Sequence, residues 1–139
     1  MIDWTQPMQQ MFEFYIVDPL SWGDKQKLNS VTGGTINRDE TKETLGSASF
    51  DCNDQIGECY IRTYLVAIQN GVTEKIVLGT HLVQTPGFNF DGLKHNMSLD
   101  AYTPLIELKE KPTPIGYTIL KDTALMDLVS RVCSENTRA

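Results

Sequence analysis

The sequence predicts a mainly β fold, in which six or seven antiparallel strands form a closed or nearly closed barrel or sandwich and one α-helix follows. Short segments rich in aromatic and β-branched residues recur along the chain, and turn signals separate them. The hydrophobic period changes from two residues to about 3.6 only near the C-terminus. We therefore expect residues 1–121 to form the β domain. Residues 122–139 should form a terminal amphipathic helix, which packs on the barrel or leads to a further domain.

Composition supports one compact domain. The chain has 139 residues, of which 40% are hydrophobic and 22% charged, so it can bury a core. The net charge of −6 disfavours a protein that grips phosphates, since such proteins need clustered Lys and Arg. No basic segment followed by an apolar one begins the chain, and no run approaches a membrane span of about 20 apolar residues. We expect a protein used in soluble form, without a membrane partner and with free thiols at Cys52, Cys59 and Cys133.

The first half of the chain predicts three strands, at residues 8–17, 31–39 and 45–52. Asp18-Pro19 should end the first strand, because Pro has no N–H to donate to a ladder. Residues 24–27 read as a polar connection. Gly33-Gly34 inside the second strand indicates a bulge or a close backbone approach.

The middle of the chain predicts a long hairpin. Cys59–Gln69 alternates regularly, and residues 73–84 form the returning strand. Asn70-Gly71 lies between them and is the preferred dipeptide of a type I′ turn, in which both residues need φ > 0.

Further turns and a helix follow. Pro86-Gly87 should turn the chain, and Asp91-Gly92 is a second hairpin signal. A strand over 94–108 is interrupted at Pro104 and ends either as a bent edge strand or as a short helical turn, and residues 116–120 predict a short strand. An N-cap at Asp122 or Thr123 precedes the helix. Its apolar face has helical spacing and consists of Leu125, Leu128, Val129, Val132 and Cys133.

The sequence contains no recognisable catalytic, cofactor-binding or metal-binding motif. GxSxG, HExxH, CxxC, Walker and GxGxxG patterns are all absent. His81 is therefore interpreted as a packed or interface histidine, and the acidic residues of 39–43 as a solvated turn. Cys52 and Cys59 flank a predicted hairpin loop at 53–58. Four tyrosines and an arginine could form a base-stacking platform, although core packing is favoured: Tyr15, Tyr60, Tyr64, Tyr102 and Arg62.

An ordered series of short motifs spans most of the chain. The motifs are LGSASFD at 45–51, GECYIRTY at 57–64, QNG at 69–71, LGTHLV at 78–83, FDG at 90–92 and DAYTPLIEL at 100–108. Their order and spacing resemble the N-terminal domain of tail hub (baseplate hub) proteins of phages that infect Gram-positive bacteria, and of phage-tail-like bacteriocins. The resemblance covers residues 32 to 136.

This resemblance implies a non-enzymatic virion protein whose tube-like β-barrel forms a trimeric or hexameric ring at the tail tip. The ring would join the tail tube protein to the spike or tip protein and contact other baseplate proteins. It would assemble in the host cytoplasm, and the genome could pass through it without specific binding. Ring subunits close by contacts between unlike faces. The expected interface residues are Phe12, Phe14, Tyr15, Asp39, Glu40, Asn70 and Gly71.

Two other functional classes remain open from the sequence. One is an OB-like or small-ligand-binding β-barrel module, which this number of strands allows. The other is part of a tail-associated cell-wall hydrolase, which the lack of paired acidic or His-containing constellations disfavours.

Overall fold

A computed structural model describes residues 1–90, 95–111 and 118–136, with side chains for 1–84, 97–111 and 118–135. The elements, in chain order, are β1 (Gln9–Val17), β2 (Asp24–Leu28), β3 (Val31–Arg38), β4 (Gly46–Cys52), β5 (Cys59–Gln69), β6 (Val72–Phe90), β7 (His95–Tyr102), α1 (Leu105–Glu110) and α2 (Leu125–Asn136).

All seven strands belong to one antiparallel sheet, in the order β2-β1-β5-β6-β7-β4-β3. The mainly β class with a C-terminal helix is therefore confirmed. The sheet is not closed into a barrel, because the outermost strands β2 and β3 do not pair with each other.

The two outermost strands are nevertheless consecutive in the chain. β2 ends at Leu28 and β3 begins at Val31, so only Asn29 and Ser30 connect opposite edges of the sheet. This short connection forces the sheet to curl until its edges meet at one corner. Backbone hydrogen bonding fixes the corner to the end of β4, since the Asn53 N–H donates to the Ser30 carbonyl at 3.0 Å.

The concave side of the curled sheet holds the main core. Phe14 of β1 meets Phe50 of β4 edge-to-face, with ring centroids 5.7 Å apart, although these strands lie far apart in the sheet order. Leu28 and Val31 pack against the same core from the corner. The buried members of this core are Ala48, Phe50, Cys52, Ile56, Ile61, Val83, Met97, Leu99 and Ala101.

A smaller cluster covers the convex side. Val17, Tyr60 and Leu82 are buried there beneath Trp22 and Ile106. The hydroxyl of Tyr60 donates to Oε1 of Glu107 in α1 at 2.5 Å, and both side chains are buried. This charge-assisted hydrogen bond anchors the short helix to the sheet.

Three strands extend beyond the rest of the sheet. β2 pairs with β1 only from Phe14 to Val17, and β7 pairs with β6 only from Leu82 onward. Residues 9–13, 64–69 and 72–78 therefore form a three-stranded projection, which we call the arm. Its tip is the predicted two-residue hairpin, which is confirmed: Gln69 pairs with Val72, and Asn70 and Gly71 have φ of 50° and 78°.

Several local predictions were wrong. Residues 24–28 form strand β2, because their backbone pairs with β1. The polar composition of this segment alone did not indicate a strand. Pro86-Gly87 does not turn the chain, since β6 continues to Phe90 with a register shift between Gln84 and Gly87. The segment 53–58 is not a hairpin loop, because it crosses from β4 to β5, which are not neighbours.

Other predictions are settled or lie outside the described residues. The segment after Pro104 is helical. Of the two endings predicted for the strand over 94–108, the short helical turn is therefore confirmed and the bent edge strand is not. The short strand at 116–120 is absent from 118–120, while 116–117 and Asp91-Gly92 lie outside the described residues. The predicted apolar face of α2 is partly covered: Leu128, Val132 and Cys133 are half-buried, whereas Leu125 and Val129 are 72% and 45% exposed.

We predict that the two adjacent glycines of β3 differ sharply in tolerance. A Cβ at Gly34 would lie 2.6 Å from the Ser49 carbonyl oxygen and 2.9 Å from Phe50 Cδ1, whereas one at Gly33 meets only Asp51 Oδ2 at 3.9 Å. Gly34→Ala should lower the free energy of unfolding by about 1–3 kcal/mol through overpacking. Gly33→Ala is the matched control, with an expected change of less than about 1 kcal/mol. Urea denaturation measures both, and equal losses would contradict this packing.

Candidate functional site

A cleft opens between the first residues of β1 and strand β3, beyond the point where β2 stops pairing with β1. Its volume is about 510 Å³, within the range of roughly 300–1,000 Å³ typical of small-molecule sites. Its lining is mainly apolar and comprises Phe12, Phe14, Val31, Thr32, Gly33, Gly34, Ile36, Phe50, Thr63 and Leu78.

Unpaired strand edges border this cleft. β3 pairs with β4 on one side only, and the 9–13 segment of β1 pairs only with β5 among the described residues. The cleft therefore opens from solvent into the concave core, beside backbone groups that the sheet leaves unpaired.

One polar side chain lies at the inner wall of the cleft. Thr63 is 2% exposed, and its Oγ1 has no hydrogen-bond partner among the described residues. On the neighbouring strand, Nδ1 of buried His81 is likewise unpartnered within that part of the chain. Gly79, opposite Thr63, leaves room for the imidazole, since a Cβ there would lie 2.9 Å from His81 Cε1.

A cation lies beside these groups. The guanidinium of Arg38, at the end of β3, donates to the carbonyl of Leu78, which itself lines the cleft. Burial, together with the nearby charge of Arg38, lowers the pKa of His81 below its usual 6.5. His81 is therefore neutral at physiological pH, and Arg38 provides the local positive charge.

The convex side carries a separate charged and aromatic network. Nζ of Lys75 lies 4.2 and 4.3 Å from the ring centroids of Tyr15 and Tyr64, and Glu13 bonds both Lys75 and Lys27. These two lysines and the Tyr15 hydroxyl hold the pKa of Glu13 at about 2. Because a lysine already covers the tyrosine rings, this surface does not present two free faces for base stacking.

The proposed stacking residues are therefore not brought together as one platform. Tyr60 is buried beneath Trp22, as core packing requires, whereas Tyr64 belongs to the convex surface, where its hydroxyl donates to Asp24. Arg62 forms an ion pair with the same Asp24 at 3.0 Å.

The expected interface residues fall into four places. Phe12 and Phe14 line the cleft, and Tyr15 lies on the convex side under Lys75. Asp39 and Glu40 occupy the β3–β4 turn. Asn70 and Gly71 form the exposed tip of the arm.

Sequence reasoning missed Thr63 and Arg38. Thr63 could have been recognised as a polar residue that alternates with Ile61 and Leu65 and therefore points inward with them. No comparable signal marks Arg38, because its approach to Leu78 depends on the curl of the whole sheet.

The thiols and acidic groups offer little chemistry. Cys52, Cys59 and Cys133 are present as thiols rather than in disulfides, as predicted. Burial chiefly raises the pKa of Cys59 to about 11, which makes it a poor nucleophile. Within the described ranges, no group of three His, Cys, Asp or Glu could hold a metal ion. Among the same residues, no helix has the length and apolarity needed to cross a bilayer.

No protein-family model, curated protein or solved structure matches the chain.

We predict that His81 makes folding pH-dependent. Because its pKa is lowered in the folded state, the unfolded chain binds a proton more readily, so stability is lost as the pH falls below about 6.5. The slope from this residue is at most about 1.4 kcal/mol per pH unit. Urea titrations between pH 7.5 and 5.5 should show a smaller loss for His81→Gln than for the wild type, and parallel losses would contradict a neutral buried imidazole.

Proposed function

We propose that the chain is a structural subunit of a ring at the tip of a phage tail or related particle, where it joins the tail tube to the spike or tip complex. The observation that carries the proposal is the arm, a three-stranded projection with exposed apolar side chains and unpaired edges. The curled antiparallel sheet supports it, because the motif series predicts a tube-like β domain.

The arm exposes more apolar surface than folding alone requires. Phe12 is 59% exposed and Val77 is 52% exposed, and three further apolar side chains of the arm are also exposed: Met11, Val72 and Ile76. The strand register places Phe12, Val72 and Ile76 on one face of the arm and Met11 and Val77 on the other. Clustered exposed apolar side chains on soluble domains mark contact surfaces. The arm therefore fits a face that a neighbouring subunit covers.

The unpaired strand edges of the arm also fit contact with a neighbouring subunit. Residues 72–81 of β6 pair only with β5 among the described residues, and residues 9–13 of β1 likewise have one neighbour. Unpaired edges of this length invite pairing with another chain. In a closed ring, each arm would meet an unlike face of the next subunit, which satisfies the edges without open-ended growth.

The exposed turns suit contacts at the rim of such a ring. The Asn70-Gly71 tip is a two-residue turn. Asp39 and Glu40 begin the connection of residues 39–45, where the side chain of Asp39 accepts hydrogen bonds from the backbone and hydroxyl of Thr41. Their lack of apolar surface suits the polar margin of an interface rather than its centre.

We predict that polar substitutions on the arm prevent assembly without unfolding the subunit. Val77→Gln and Phe12→Gln should shift the species seen by multi-angle light scattering from a ring to a monomer. Their Tm should stay near the wild-type value, since both side chains are more than half exposed. The wild type should form a closed trimer or hexamer, visible as rings by negative-stain electron microscopy.

Leu20→Gln is the matched control for this experiment. Leu20 is 93% exposed but lies in the β1–β2 connection, away from the arm. It should leave the ring intact. A wild type that stays monomeric at high concentration, both alone and with tail tube and spike proteins, would contradict the proposal.

A further inference from the structure

We propose that the β1–β3 cleft binds a small apolar monocarboxylate, an alkyl or aromatic body with one carboxylate head. This proposal does not rest on the ring function, although Phe12 and Leu78 belong to both the arm and the cleft. It joins three observations: an apolar cleft of ligand size, a buried hydroxyl in its wall without a partner among the described residues, and a cation at the cleft margin, where Arg38 donates to the carbonyl of the lining residue Leu78.

The apolar part of the ligand is set by the cleft walls. Phe12 and Phe14 of β1 face Val31 and Ile36 of β3 across the opening, and Phe50 lines its inner part. Burying an alkyl or aromatic body against these side chains removes apolar surface of both partners from water, at roughly 25 cal/mol per Å².

The head group is set by Thr63. A hydroxyl that is buried without a hydrogen bond is costly, and a ligand that accepts its proton removes that cost. Oγ1 of Thr63 belongs to a residue that is 98% buried and lines the cleft, so a ligand oxygen there would accept a hydrogen bond from the Thr63 hydroxyl.

The charge of the head is set by Arg38. Its guanidinium donates to the Leu78 carbonyl at the cleft wall and has no carboxylate within ion-pair distance among the described residues. Its remaining N–H groups suit a carboxylate. The whole protein has a net charge of −6 and does not attract anions by its overall field. An anion would therefore bind here through direct contact with Arg38.

A small molecule fits the cleft better than an inserted peptide strand. A strand could pair with the β3 edge, but its backbone would not place an anionic group against the guanidinium or an acceptor against a hydroxyl this deep in the wall. The test therefore treats peptide insertion as an outcome that would overturn the proposal.

The experiment titrates the intact ¹⁵N-labelled chain with octanoate, and separately with 1-octanol, following amide shifts by NMR. We expect saturable octanoate binding, with shifts concentrated in residues 31–36, 63 and 78, and at least about tenfold weaker binding of octanol. Thr63→Val should weaken octanoate binding by about tenfold, whereas Thr63→Ser, which keeps the hydroxyl, should stay within about twofold of the wild type. Arg38→Gln should weaken octanoate binding while leaving octanol unchanged.

Folding of the variants is controlled by their Tm without ligand. Thr63→Val removes a buried hydroxyl that has no partner among the described residues, so its Tm should equal or exceed that of the wild type. Thr35→Val, at an exposed position of β3, should leave both Tm and affinity unchanged. The proposal is overturned if octanoate shows no saturable binding, if Thr63→Val binds it as tightly as Thr63→Ser, or if only an extended apolar peptide shifts these amides.

Discussion

The two-residue connection Asn29-Ser30 is the constraint on which the rest of this fold depends. It joins the outermost strands of a seven-stranded sheet, so the sheet cannot lie open. Curling brings Phe14 against Phe50 and gathers the apolar side chains of most strands into one core. The same constraint creates the cleft, because β2 ends at the corner and leaves the first residues of β1 to line a cleft together with β3.

The sequence predicted the parts of this fold that depend on local signals. Alternation in Cys59–Gln69 and the φ preference of Asn70-Gly71 were sufficient to predict the long hairpin. Strand β2 was not predictable, because the polar segment 24–28 becomes a strand only through its pairing with β1. The continuation of β6 past Pro86 also escaped prediction, since a register shift accommodates a residue that ordinarily ends a strand.

The candidate site was less predictable than the fold, for the same physical reason. The order of strands in the sheet is non-local: β4 pairs with β7 rather than with the strand that follows it. Thr63, Arg38 and Phe12 come from different strands, and only the curl brings them to one cleft or its margin. Phe12 and Phe14 were expected at a subunit interface because of the resemblance to tail hub domains, and in the structure they line the cleft. Their role there stays a prediction.

The arm and the cleft both lie where strands of the sheet have only one neighbour among the described residues, but they suit different kinds of partner. The arm exposes apolar side chains together with unpaired edges, which suits a large partner, whereas the cleft has mainly apolar walls that include the buried hydroxyl of Thr63. A ring subunit needs the first feature, and the two features meet at Phe12 and Leu78, which belong to both the arm and the cleft. Leu125, Met126 and Val129 of α2 are also exposed and add a further apolar surface.

Hydrogen–deuterium exchange, measured by mass spectrometry over a range of protein concentrations, tests most directly whether the arm is the assembly surface. In dilute solution, amides of residues 72–78 should exchange much faster than those of residues 97–101 in the core. At concentrations where rings form, exchange in 72–78 should slow by roughly tenfold or more while the core is unchanged. If assembled and dilute protein show the same exchange in the arm, the arm is not the contact between subunits and the account fails.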